Sequence, residues 1–180
     1  MSYDELYIKS AIRSIADWPE AGVIFRDVTT LFKDPKAMRM VCDAFVQRYM
    51  NQPITHIASI DARGFILGSV VAYQLNLPLI LIRKKGKLPG DTISQDYSLE
   101  YGSAAIEIQT DALEPGAKVL VFDDLIATGG TVLAAVSLIR KLGAEVHEVA
   151  ALIDLPDLMG SQKIQDSNVP VYSLLAYEGL

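Results

Sequence analysis

Two aspartates stand side by side at Asp123-Asp124, and the turn Ala127-Thr128-Gly129-Gly130-Thr131 follows shortly after. Adjacent carboxylates repel each other and repel any anion, so they suit neutral hydroxyls or a metal-bound water. The turn suits the opposite kind of partner. Gly129 and Gly130 remove side chains where successive backbone N–H groups can turn inward around an anion. The hydroxyls of Thr128 and Thr131 add donors, and a helix starting near Thr131 adds the positive end of its dipole. A ribose bearing a 5′-phosphate meets both demands, its hydroxyls on the acids and its phosphate in the turn. The turn lacks the Gly-Lys-Ser/Thr of a nucleotide-triphosphate loop and the Gly-x-Gly-x-x-Gly of a dinucleotide site. Asp-x-x-x-Thr-Gly-Gly by itself also fits a helix N-cap with solvated acids. The acid pair, the threonines and the apolar flanks together favour the anion cradle.

Hydrophobic periodicity indicates the elements that must hold these residues. Residues 118–122, Lys-Val-Leu-Val-Phe, form a buried strand ending at the acids. Residues 131–143 form a helix with Val132, Ala135, Val136, Ile139 and Leu142 on one stripe and Gly143 as its cap. Further strands are expected at 54–60, 77–83 and 145–155, with an edge strand at 169–177. Helices are expected at 2–17, at 34–50 opened by Asp34-Pro35, and at 63–75, where Gly64 and Gly68 allow close packing. Near-continuous apolar strands alternating with helices predict an α/β fold, a mostly parallel central sheet flanked by helices. Ligands of such sheets sit beyond the carboxyl ends of the strands. That places Asp61-Ala62-Arg63-Gly64, the segment 84–102 and the Asp123–Thr131 stretch at one edge. The polar run 83–103 breaks the alternation and reads as a long lid loop, leading into a strand with one wet face.

The 180 residues suit a single domain, 51% hydrophobic and 21% charged, with a net charge of −6. An acidic chain is poorly suited to sequence-independent binding of nucleic acid or an anionic membrane, so neither partner is expected. Cys42 is the sole cysteine, which excludes an intrachain disulfide and suggests a buried reduced thiol. The opening MSYDELYIKS carries two early acids and is no secretion signal, and no apolar run reaches membrane-spanning length. A cytoplasmic protein is expected. His56 and His147 lie far apart in strands, which makes a zinc site a poor fit.

The stretch Val119–Ala135 resembles the phosphoribosyl pyrophosphate signature of type I phosphoribosyltransferases. GVIFRDVTTLFKDP, ARGF, RKKGKLPG, YSLEYG and IQTDALEPG follow one another as in the adenine phosphoribosyltransferase family. The resemblance runs collinearly from about residue 20 to 155. It implies transfer of a phosphoribosyl group from phosphoribosyl pyrophosphate to adenine, giving AMP and pyrophosphate, with Mg²⁺ carried mainly by the pyrophosphate. It implies that Asp123 and Asp124 hold the ribose hydroxyls and that Ala127, Thr128, Gly129, Gly130 and Thr131 hold the 5′-phosphate. Asp61, Ala62 and Arg63 would form the pyrophosphate loop, with a cis peptide between the first two, and Arg83 and Lys87 would reach pyrophosphate as well. Ile24, Phe25 and Arg26 would bind adenine, Phe25 by stacking and its neighbours through their backbone, with Tyr101 lining the same pocket. Glu100 would be the catalytic acid near the purine imidazole, acting with Arg63. Lys84 and Lys85 read as solvated. Residues 1–32 would be a base-binding hood, residues 83–110 a catalytic lid hairpin, and the chain a homodimer, with apolar residues in 20–32 a candidate interface. Two alternatives differ in chemistry. One is a phosphoribosyl pyrophosphate sensor without transferase activity, which would ordinarily add a DNA-binding region. The other is a hypoxanthine-guanine enzyme, which needs a late lysine that the tail VPVYSLLAYEGL lacks.

Overall fold

The computed structural model describes residues 4–98 and 103–179. The chain opens with α1 (Glu5–Ser10) and the strands β1 (Arg13–Ala16) and β2 (Ile24–Asp27). Then come α2 (Thr29–Phe32), α3 (Pro35–Tyr49), β3 (His56–Ile60), α4 (Arg63–Leu75) and β4 (Leu79–Lys84). The hairpin β5 (Thr92–Ser98) and β6 (Ser103–Gln109) precedes β7 (Lys118–Ile126), α5 (Gly130–Lys141) and β8 (Glu145–Asp154). A single 3₁₀ turn at Pro156–Leu158, α6 (Gly160–Asp166) and β9 (Val171–Ala176) complete the described chain. The main sheet has the order β5-β6-β4-β3-β7-β8-β9. Its β4-β3-β7-β8-β9 portion is parallel, and the β5–β6 hairpin adds to β4 antiparallel.

β7 sits at the centre and shows why its run is apolar throughout. Val119, Leu120, Val121 and Phe122 are all fully buried. Leu120 and Phe122 join a core with Phe45 of α3 and Leu67 and Val71 of α4. Val119 and Val121 join a second core on the other face, with Ala135, Leu138 and Ile139 of α5. Alternation along one strand thus feeds both layers, as a doubly covered sheet requires. Phe45 meets Phe122 edge to face, centroids 4.7 Å apart. Cys42 is buried and unpaired, and burial pushes its thiol up to about 11. Along the α3–β8 contact, Arg48 donates to buried Glu148 through Nε and Nη2 at 3.0 and 2.8 Å, and the Tyr49 hydroxyl donates to it at 2.6 Å.

Three expectations need correction. The helix expected over 2–17 is only α1, because Arg13–Ala16 pairs with β2 instead, Ile15 opposite Phe25. The Arg13 amide donates to the Thr30 hydroxyl at 3.1 Å, so tertiary pairing overrides the local helical period. The 83–103 segment is not one loop. Thr92–Ser98 is a strand at the sheet edge, with Ile93 and Tyr97 on the core side. The wet face expected for β6 is dry at Glu107, which is 4% exposed. Its carboxylate accepts from the Lys87 and Leu88 amides at 3.0 and 2.9 Å and from the Thr92 hydroxyl at 3.2 Å, and the Leu88 amide leads in holding its pKa down. α2, the 3₁₀ turn and α6 were unforeseen. Within 20–32, Val28 and Leu31 belong to the chain's own core and are not free for an interface.

The β1–β2 ribbon is fixed at its base by Asp27, which accepts from the Thr29 amide at 2.9 Å and from the Arg13 guanidinium. These hydrogen bonds, Thr29 first and then Arg13, hold the Asp27 carboxyl down at about 2. A carboxyl depressed in the folded state stabilises above its unfolded pKa of about 4 and loses that effect as pH falls toward the folded value. Asp27→Asn should therefore lower Tm at pH 7, and thermal melts should show the gap to wild type closing between pH 4 and pH 2.

Candidate functional site

The carboxyl ends of β3, β4 and β7 open onto a crevice of about 270 Å³. Asp61, Ala62 and Arg63 line it from the β3–α4 turn, Asp123 and Asp124 from the end of β7, and Thr131 from the first turn of α5. The Asp61–Ala62 peptide is cis. Arg63, first residue of α4, donates through Nε to Asp124 Oδ2. Burial pulls its guanidinium down, but the carboxylates of Asp124, Asp123 and Asp27 outweigh that and hold it above its ordinary value. The Asp27 charge at the base of the β1–β2 ribbon thus also acts on the Arg63 guanidinium in this crevice.

The two aspartates differ. Asp124 is 4% exposed and engaged by Arg63. Asp123 accepts from the Asp124 amide at 2.8 Å, and burial first, with the Asp124 charge second, pushes its carboxyl well up. Asp123 Oδ1 also lies 3.0 Å from where a Cβ on Gly64 would stand, so glycine there lets α4 start directly against the acids. The two adjacent carboxylates therefore sit in unequal environments.

Arg83 does not line the crevice but braces Asp61, which does. Its Nε donates to Asp61 Oδ2 at 2.9 Å and its Nη1 to the Lys87 carbonyl at 3.1 Å. Lys84 and Tyr97 line the crevice too. Lys84 was read as a solvated loop residue, yet it is the last residue of β4 and so stands at the ligand edge of the sheet. Tyr97 was passed over because the polar residues around it masked the period-2 pattern of β5.

Ala127, Thr128 and Gly129 form the loop between β7 and α5, and Gly130 begins the helix. Gly129 has φ +81°, a left-handed conformation that a side chain disfavours, and it caps α5. The loop and the N-terminus of α5, the positive end of its dipole, follow directly on the end of β7 that holds the acids. Ile24, Phe25 and Arg26 lie on the ribbon and not on the crevice wall. Phe25 meets Trp18 edge to face with centroids 4.3 Å apart. Arg26 lies 4.4 Å over the Tyr177 ring, just after β9, and Nη1 donates to the Ser14 hydroxyl at 2.6 Å. Glu100 and Tyr101 fall outside the described residues. Cations, a pair of acids and Thr131 line one crevice next to an amide loop, chemistry suited to a diphosphate, a diol and a monophosphate.

Comparison with known proteins agrees with that chemistry. A family model described as a phosphoribosyl transferase domain matches residues 27–171. A Marinomonas protein named adenine phosphoribosyltransferase is 63% identical over 179 residues, 99% of each chain. The crystal structure of adenine phosphoribosyltransferase from Thermoanaerobacter pseudethanolicus superimposes with a TM-score of 0.92 at 37% identity, covering 97% of this chain and 100% of that one. The Trypanosoma brucei enzyme, solved in complex with AMP, pyrophosphate and ribose-5-phosphate, gives a TM-score of 0.87 at 35% identity, covering 99% and 82%. The fold and the sequence together place this chain in the adenine phosphoribosyltransferase family.

Proposed function

We propose that this crevice is where the chain transfers the 5-phosphoribosyl group of phosphoribosyl pyrophosphate to adenine, giving AMP and pyrophosphate. The observation that carries the site assignment is the convergence of Asp123, Asp124 and the cations of Arg63 and Lys84 on one crevice, with Thr131 opening it toward the amide loop. Asp123 and Asp124 hold the ribose hydroxyls, and Ala127 to Thr131 hold the 5′-phosphate. Arg63, Arg83, Lys84 and Lys87 meet the pyrophosphate, with Asp61 orienting Arg83. As pyrophosphate departs, the anomeric carbon gains oxocarbenium character. The chain's task is to hold both reactants in line and to neutralise the leaving group.

Adenine is held by Phe25, stacked, and by the backbone of Ile24 and Arg26, with Tyr101 on the same pocket. Glu100 handles the proton that adenine sheds as N9 attacks, an effect worth about 10²–10⁴-fold. The 83–110 hairpin is the lid that keeps water from the sugar. Its base is pinned by Glu107, and Gln95 of β5 accepts from Ser137 and Lys141 of α5 at 3.0 and 2.9 Å.

Mg²⁺ belongs to the same reading. It is a hard cation that takes oxygen ligands and keeps several waters. Asp61, Asp123 and Asp124 are the carboxylates that line the crevice, and among the described residues no three acid, imidazole or thiol groups are placed to hold a metal ion together. An ion there would rest mainly on the diphosphate, where it neutralises the departing charge. A homodimer is supported by large apolar side chains left on the surface of α4 and β4: Ile66 at 41%, Tyr73 at 86% and Leu81 at 38% exposure. A cytoplasmic setting is supported by the free Cys42 thiol. No helix among the described residues is long and apolar enough to cross a membrane.

The deciding assay mixes the protein with adenine, phosphoribosyl pyrophosphate and Mg²⁺. AMP is expected, with hypoxanthine, guanine and xanthine left unused; tight phosphoribosyl pyrophosphate binding without transfer to any base would instead identify a sensor. Asp123→Asn should raise the KM for phosphoribosyl pyrophosphate about tenfold to a hundredfold, the scale of a lost charge-assisted hydrogen bond. Steady-state kinetics would refute the diol role if that KM stayed put. Glu100→Gln should lower kcat by about 10² or more while leaving both KM values within a few fold, and a loss confined to binding would remove its proton-handling role.

A further inference from the structure

The segment after β8 takes no part in the chemistry above, yet it presses on the amide loop from behind. Gly160, at the start of α6, is buried. A Cβ on Gly160 would stand 2.1 Å from the Ala127 carbonyl oxygen and 2.7 Å from the Gly129 amide nitrogen. From the other side, a Cβ on Gly129 would meet the Gly160 carbonyl oxygen at 2.9 Å. The backbone of Gly160 lies outside the left-handed region, so conformation alone would admit alanine there. The requirement for glycine is one of space.

Neighbouring contacts fix this approach. Ser161 donates through its hydroxyl to Asp154 Oδ2 at 2.9 Å. Asp154 ends β8 beside Ile126, the residue before the loop, and the Leu155 amide donates to the Ile126 carbonyl at 3.0 Å. Lys163 Nζ reaches the Thr128 carbonyl at 3.4 Å. The Ala127–Gly129 backbone is therefore clasped by a second loop from the adjacent strand. Amides that must face a phosphate gain from such a clasp, since a main-chain donor displaced by about 1 Å can forfeit as much as a hundredfold in rate or binding.

We propose that Gly160 is a positioning residue for phosphoribosyl transfer: by carrying no side chain it lets the 156–163 segment seat the Ala127–Gly129 amides where they grip the 5′-phosphate. The proposal rests on the reading of that loop as the phosphate cradle. Gly160→Ala pushes the Ala127 carbonyl and the Gly129 amide away from α6 and so distorts the cradle without touching ligand.

The test measures ribose 5-phosphate affinity by calorimetry and steady-state kinetics on the full chain, with Gly130→Val beside Gly160→Ala. Gly160→Ala should weaken ribose 5-phosphate binding and raise the KM for phosphoribosyl pyrophosphate, each by about tenfold or more, while the KM for adenine at saturating phosphoribosyl pyrophosphate moves less than about threefold. A lower Tm with unchanged affinity and KM per folded molecule would reduce Gly160 to a packing residue and overturn the proposal. Loss of binding in Gly130→Val with none in Gly160→Ala overturns the positioning role alone. Undiminished binding in both variants overturns the cradle assignment beneath it. Should Gly160→Ala fail to fold, Ser161→Ala decides, because it removes only the tether to Asp154. A rise of about threefold or more in the ribose 5-phosphate Kd supports the clasp, and an unchanged Kd overturns it.

Discussion

Burying a carboxylate at the end of a central strand is tolerable only if a cation meets it. Asp124 and Arg63 satisfy that condition, and much of the functional edge follows from their pairing. Because Arg63 begins α4, the pair fixes where that helix starts. It thereby sets the cis Asp61–Ala62 turn against the end of β7 and gives the crevice two of its walls. The same guanidinium feels Asp123 and Asp27. One side chain thus joins the acid pair to the Asp61–Arg63 turn and feels the charge at the base of the ribbon.

Polar contacts help tie down both appendages of the sheet, and the hairpin also lays Ile93, Tyr97, Ile106 and Ile108 on the core. The β1–β2 ribbon leans on Asp27 at its base and on the Arg26–Tyr177 contact at the other side of the sheet edge. The β5–β6 hairpin is held through Glu107 below and through Gln95 against α5. Polar attachments of this kind hold a segment in register while leaving its opening cost small beside that of a core strand. On the proposed reading the ribbon carries the adenine-binding residues Ile24, Phe25 and Arg26.

The sheet and its helices were largely legible in the sequence. α4 coincides with the expected 63–75, and β8 and α3 fall within a residue or two at each end, because long apolar periods leave little choice. The acid pair and the Thr-Gly-Gly-Thr turn stand out in the sequence for a different reason, since few functions require two carboxylates beside such a turn. What escaped depended on partners distant in sequence. Arg13–Ala16 has a helical pattern until β2 is there to pair with it. Glu107 reads as a solvent-facing position until the Lys87 and Leu88 amides fold over it. Lys84 looked like one of several loop cations until the end of β4 placed it at the crevice. Gly160 carries no side chain at all, and its role is visible only once the Ala127 carbonyl is found beside it.

Arg48, Tyr49 and Glu148 form their cluster on α3 and β8, joined by residues that take no part in the crevice. Robustness and chemistry are therefore supplied by different stretches of the chain. Substitutions that strengthen or loosen the α3–β8 seam can accumulate without disturbing the acids, the amide loop or the cations. That separation leaves evolution, or a protein engineer, free to adjust heat tolerance and substrate choice as two independent variables.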